Sequence, residues 1–266
     1  MTATTTEQPV QLTFDGAVAR LTLNRPKQLN VLDEPMAAAC VEAMSEIERR
    51  ADLGAVILDG AGRAFMGGGD LTVFHSDLAN APATAARLID RFHLMVTAIR
   101  RLPVPVICAV HGAVAGGGVG LALACDIVIA ASDVRLVPAY TRIGTSPDGG
   151  TTWSLTKVLG AKRAYEMFLT GEALDAEAAL RLGLINRVVA ADQLSATTTA
   201  LAHKLAAGPR LAFANCKRLV QQATTGTFEA QLAAERAGFV SAAGTADFRE
   251  GISSFFERRE PKFGKG

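Results

Sequence analysis

Pro105-Val-Ile-Cys-Ala-Val110 runs without a break into His111-Gly-Ala-Val-Ala-Gly-Gly-Gly-Val-Gly120, and the chain continues as Leu121-Ala-Leu-Ala124, Cys125-Asp126 and Ile127-Val-Ile-Ala130. The first apolar run has strand length, residues 117–124 have helical composition, and Ile127–Ala130 is a second β-branched run. Strand, glycine loop, helix, strand is the grammar of an α/β fold. Upstream the same order occurs once more. Ala55-Val-Ile-Leu58 passes through Gly60 and Gly62 into Ala64-Phe-Met-Gly-Gly-Gly-Asp70, and a helical stretch follows from Thr84 to Arg101, before Pro103. Nearer the start, Val10–Phe14 and Ala17–Leu23 flank Asp15-Gly16, a hairpin signal, and Asp33 with Pro35 predicts a capped helix to about Arg50. The pattern holds to about Val189. Beyond Gln193 every segment reads as helix, with breaks at Gly208-Pro209 and Gly244. The change of pattern divides the chain into an α/β core, 1–191, and a helical region, 192–266.

The chain has 266 residues, 49% of them hydrophobic, enough to bury a sizeable core. A net charge of +1 argues against nucleic acid or membrane as the main partner. The first nine residues lack the basic and apolar parts of a signal peptide, and no apolar run approaches the ~20 residues of a membrane span. Cys40, Cys108, Cys125 and Cys216 form no C-x-x-C pair and read as reduced, buried thiols, and the four histidines show no metal-ligand spacing. A soluble, cytoplasmic, metal-free protein is expected.

Neither glycine cluster contains a reactive side chain. Glycine lets two backbones approach closely, and a pair of N–H groups aimed at one point stabilises an enolate or a tetrahedral oxyanion. Close packing of helix on strand is the duller alternative. The second cluster is not G-x-G-x-x-G and lacks an acidic strand end ~20 residues on, which argues against a dinucleotide site. No Gly-Lys-Ser/Thr and no G-x-S-x-G occurs, which excludes the commonest phosphate loop and hydrolase elbow.

Leu23-Asn-Arg-Pro26 with Leu29-Asn30, Phe65–Asp70, Pro105–Asp126, Ile143-Gly-Thr-Ser-Pro-Asp-Gly-Gly150 and the tail from Asp247-Phe-Arg-Glu-Gly251 to Phe263 occur in a telling order. In that order they resemble the enoyl-CoA hydratase/isomerase (crotonase) superfamily, over nearly the whole chain. The resemblance implies a spiral of repeated ββα units with a C-terminal helical trimerisation region. It implies an oxyanion hole from the N–H groups of Gly69 and Gly117, with Gly67 and Gly69 departing from the usual small residues of the first cluster. The two glutamates of the family's hydratases fall at Gly120 and Tyr140, so both carboxylates are missing. Asp148 matches the catalytic Asp of related enoyl-CoA isomerases, including those of phenylacetate pathways. A turn or helix N-cap is its competing reading. Tyr140 is placed to orient Asp148.

The resemblance leaves other chemistry open. Aryl-CoA dehalogenases carry an Asp at this position as a nucleophile and a His at the position of His93. His93 reads here as a helix residue packed beside Phe92 and Met95. Thioester hydrolysis and a non-catalytic CoA- or RNA-binding role complete the alternatives. The resemblance further implies coenzyme A, as part of the substrate and not as a prosthetic group, lying against Asn24–Asn30 and the first glycine loop. Lys27, Leu29, Gly67 and Asp70 are the candidate contacts. Phe255 and Arg258 would close over the adenine from a neighbouring subunit of a trimer or hexamer. The segment from Val73 to Arg87 is expected to line the acyl pocket.

Overall fold

The computed structural model describes residues 8–264. In chain order the strands are β1 (Val10–Asp15), β2 (Val18–Leu23), β3 (Ala55–Gly60), β4 (Ala64–Met66), β5 (Val106–Val110), β6 (Ala113–Ala115), β7 (Ile127–Ala131), β8 (Arg135–Val137), β9 (Leu174–Asp175) and β10 (Arg187–Val189). The helices are α1 (Glu34–Arg49), α2 (Leu71–Ser76), α3 (Ala81–Arg101), α4 (Gly117–Ala124), α5 (Thr151–Thr170), α6 (Ala176–Arg181), α7 (Leu194–Ala206), α8 (Arg210–Ala223), α9 (Phe228–Ala243) and α10 (Ala246–Glu257).

The main sheet has the order β1-β2-β3-β5-β7-β10 and is parallel except for the β1–β2 hairpin. A second sheet, β4-β6-β8-β9, is parallel except for β9. Each pass of the chain lays one strand in each sheet and returns through helix: β3 and β4 before α2 and α3, β5 and β6 before α4, β7 and β8 before α5. This is the expected spiral of ββα units.

Side chains alternate between the two faces of the main sheet, as strand geometry requires. Val56, Leu58, Val106, Cys108 and Val128 pack in one core with Met36 and Cys40 of α1 and Leu88 and Phe92 of α3. Ile57, Ile107 and Ile129 point the other way, into a smaller core with Leu194 and Ala202 of α7. Both faces are covered, which is why the strands read as unbroken apolar runs. Asp33 caps α1 as expected, its carboxylate accepting from Met36 N–H at 2.9 Å.

Helix α8 is fastened to the core by polar contacts. Lys217 Nζ pairs with Asp126 Oδ2 at 2.8 Å and donates to the carbonyls of Ile99 (2.9 Å) and Val104 (3.3 Å). Gln221 adds a bond of 3.0 Å to Arg100 O, and Arg210 donates to the carbonyls of Ala51 and Asp52. In the single chain Val220, Phe228, Phe239, Val240, Phe255 and Phe256 of the C-terminal helices are exposed.

Some expectations are corrected. Helix α3 begins at Ala81, not near Thr84, because Pro82 sits in its first turn, where a missing N–H costs nothing. The second sheet and α2 were unread. Cys40 and Cys108 are buried, and burial pushes the Cys40 thiol up to about 12, but Cys125 is only half-buried and Cys216, on α8, is exposed. No helix among the described residues is long and apolar enough to cross a membrane.

Candidate active site

The site begins where the two glycine clusters meet. The first follows β4 and is splinted by the segment 29–32: Gly67 N–H donates to Leu29 O (2.8 Å), Leu32 N–H to Gly68 O (2.8 Å) and Asp70 N–H to Leu32 O (2.9 Å). Gly69 is skipped by this ladder, and its N–H has no acceptor among the described residues. The second cluster follows β6. Gly116 adopts φ 50° and ψ −122°, a conformation that favours glycine, and donates to Val137 O at 3.0 Å. Gly117 is then the first residue of α4, and its N–H is among those a helix cannot satisfy internally. It too lacks an acceptor among the described residues. A Cβ on Gly116 would stand 3.7 Å from Gly68 Cα, so the two loops abut. The start of α4 adds its dipole to that of the free N–H.

Gly69 and Gly117 line a cleft of about 610 Å³. Its walls are mainly apolar, with Leu32, Met66, Phe74, Leu88, Phe92 and Ile143 among them, and α2 and the start of α3 supply one side. Among the described residues that line it, Asp148 alone carries a carboxylate.

Asp148 lies in the loop between the turn Ala139–Ile143 and α5, half-buried. It is not a side-chain N-cap: α5 is capped by Gly150, without a side-chain bond. Its carboxylate Oδ1 accepts from Tyr140 O–H at 2.7 Å, and Oδ2 has no partner among the described residues. The same Oδ1 lies 3.7 Å from the point where a Cβ on Gly117 would stand, next to the free N–H. Tyr140 is buried, and burial, reinforced by the Asp148 charge, pushes its phenol well above its ordinary range. The backbone of Asp148 is held as well. Its carbonyl accepts from Thr151 N–H at 3.0 Å and from Thr151 O–H at 2.8 Å.

The neighbouring positions are closed. A Cβ on Gly120 would stand 2.5 Å from Thr151 Oγ1 and 2.8 Å from Gly149 O, so no side chain fits there. His93 differs from expectation. Phe92 and Met95 are buried, but the His93 ring is turned out of the core, and its Nε2 accepts from Gly149 N–H at 3.2 Å.

Residues 13–266 match the profile described as enoyl-CoA hydratase/isomerase. The chain belongs to that family. Among curated relatives, the 1,2-epoxyphenylacetyl-CoA isomerase of Escherichia coli is 39% identical over 250 residues, covering 94% of this chain and 95% of the relative. A probable enoyl-CoA hydratase of Rhodobacter capsulatus is 38% identical over 254 residues, with 96% and 97% covered. Among solved structures, an enoyl-CoA hydratase from a Polaromonas species superposes with a TM-score of 0.91 at 36% identity, over 96% of this chain and 99% of that one. Enzymes of the enoyl-CoA hydratase/isomerase family act on CoA thioesters, and this chain is one of them.

The residues expected to border coenzyme A fall into two places. Lys27 is exposed in the turn Pro26–Gln28, and Leu29 follows it with φ 55° beside Gly67. Asp70 caps α2, accepting from Thr72 N–H (3.0 Å) and O–H (2.6 Å), and its other oxygen lies 3.7 Å from Arg25. Phe255 and Arg258 are exposed at the end of α10, and neither lines the cleft of its own chain. Sequence reasoning missed Thr151, the ring contact of His93 and the Arg25 clamp. Arg25 joins Asp33 (2.7 Å) and Val31 O (3.1 Å) to the Asp70 loop. The spacing Asp148-Gly-Gly-Thr151 was the signal available for Thr151.

Proposed function

We propose that this enzyme is an enoyl-CoA isomerase that moves a double bond through an enolate, with Asp148 as the single proton shuttle. One observation carries the reading: the sole carboxylate among the cleft-lining residues has one oxygen held by Tyr140 and the other unpartnered. The N–H groups of Gly69 and Gly117 receive the thioester oxygen, and negative charge that develops there is worth most to such preorganised donors. Asp148 Oδ2 removes a proton made acidic by that polarisation and returns it to the other end of the allyl system. General base catalysis of this kind contributes roughly 10²–10⁴-fold. Water addition by two glutamates has no support, since Gly120 is sealed by Thr151 and Gly149 and Tyr140 carries no carboxylate.

Lys27, Leu29, Gly67 and Asp70 would border the pantetheine and phosphates. Phe255 and Arg258 would reach the adenine of a neighbouring subunit, with residues 192–266 as the trimerisation region and the trimers free to pair as hexamers. The working compartment in this reading is the cytoplasm.

The test is to incubate the protein and an Asp148→Ala variant with 3-hexenoyl-CoA and, separately, with 2-hexenoyl-CoA, and to resolve the products. Conversion to 2-hexenoyl-CoA that disappears in the variant supports the reading. Hydration to 3-hydroxyacyl-CoA that survives in the variant overturns it.

A further inference from the structure

We infer that His93 is a positioning residue for Asp148, acting through the Asp148–Gly149 peptide as a neutral imidazole that carries its proton on Nδ1. The inference rests on the reading of Asp148 as the proton shuttle.

The geometry that carries it is a grip on both ends of one peptide unit. Its carbonyl accepts two bonds from Thr151, at 2.8 and 3.0 Å, and its N–H donates to His93 Nε2 at 3.2 Å. An acceptor nitrogen cannot bear a proton, so the ring proton belongs on Nδ1. The next atom along the chain is fixed sterically. Gly149 has φ 57°, and a Cβ there would stand 2.3 Å from Phe92 Cε1. Consecutive residues of α3 thus set the loop, Phe92 by contact and His93 by accepting. With the peptide plane fixed and Oδ1 tied to Tyr140, the Asp148 carboxylate has one remaining orientation, with Oδ2 as its unpartnered oxygen. Without the His93 bond, the peptide can rock about the Thr151 contacts and carry the carboxylate with it. A shift of 1 Å in a reacting group costs about 100-fold in rate, so a smaller rocking motion costs about tenfold.

Spectroscopy and kinetics on the protein and two variants decide the matter. Nitrogen-15 NMR of the imidazole at neutral pH is expected to show the Nδ1–H tautomer for His93, and the Gly149 amide is expected to exchange slowly. His93→Leu is expected to lower kcat about tenfold at unchanged KM and to speed Gly149 exchange. His93→Gln, whose amide oxygen still accepts, is expected to stay within about twofold of wild type in kcat, the rescue that marks an acceptor. An Nε2–H tautomer overturns the proposal. So does His93→Leu with wild-type kcat, or a Gln variant as damaged as the Leu variant, the mark of a ring that itself transfers protons. Unchanged melting temperatures exclude misfolding as the cause of either loss. If wild-type protein fails to convert 3-hexenoyl-CoA, the isomerase reading fails alone. The tautomer and the Gly149 exchange still decide whether His93 holds the loop.

Discussion

Tyr140 donates to Asp148 across 2.7 Å from a buried position, and its phenol stays protonated because burial, and then the carboxylate's charge, disfavour the phenolate. The sign matters. A raised pKa keeps the donor form throughout the range below 10.0, the ordinary phenol value, and the contact weakens only above it. The wild-type rate is therefore expected to show no alkaline limb from Tyr140 up to that pH. Tyr140→Phe removes a hydrogen bond to a charged group, of about 1.5–3 kcal/mol, and is expected to lower kcat roughly tenfold to a hundredfold in steady-state assays. Gly120→Ala drives a methyl against Thr151 Oγ1 and Gly149 O. It is expected to destabilise by about 1–3 kcal/mol in urea titrations and to disturb the Asp148 loop. At this scale the sequence was partly legible. Asp148, Tyr140 and the two glycines could be named from motif positions. Thr151 could not, and His93 could be named only for a different role, since each acts on a backbone group whose place is set by the turn of the loop and by no side-chain pattern.

Among elements, the join between α8 and the core is the instructive one. Lys217 is nearly buried, and each contact it makes reaches a different piece of the core: Asp126 after α4, Ile99 in α3 and Val104 before β5. Asp126 also accepts from Val106 N–H at 2.8 Å, so the pair pins the start of β5. Lys217→Met takes the cation from a carboxylate still partly open to water and a donor from two carbonyls, a loss of about 1–2 kcal/mol. The expected result is a lower urea midpoint with little change in KM. The long apolar strands and the capped helices were legible because burial on both faces and cap chemistry leave marks in sequence. The second sheet was not. Its strands β4, β6 and β8 have three residues each, too short for any period to register, and two of them lie inside segments that read as glycine loops.

For the whole molecule, the exposed phenylalanines of α9 and α10, Phe255 among them, and the exposed Arg258 would be covered in the proposed trimer. Light scattering is expected to return three chains or a multiple of three. Arg258→Ala is expected to raise KM for acyl-CoA roughly fivefold at unchanged kcat, the scale of about 1 kcal/mol for one exposed charge contact. The same variant should leave KM unchanged for a pantetheine thioester that lacks the adenine end. A broader consequence comes from the way the two glycine loops abut. Gly69 stands at the strand-to-helix join of one pass of the spiral and Gly117 at the same join of the next, so the proposed donor pair stays aligned only while successive passes keep their spacing. On the proposed chemistry the enzyme gauges its own core. A slight swelling, far short of melting any strand, is expected to part the two N–H groups, so that in mild denaturant turnover falls before the circular dichroism of the fold changes.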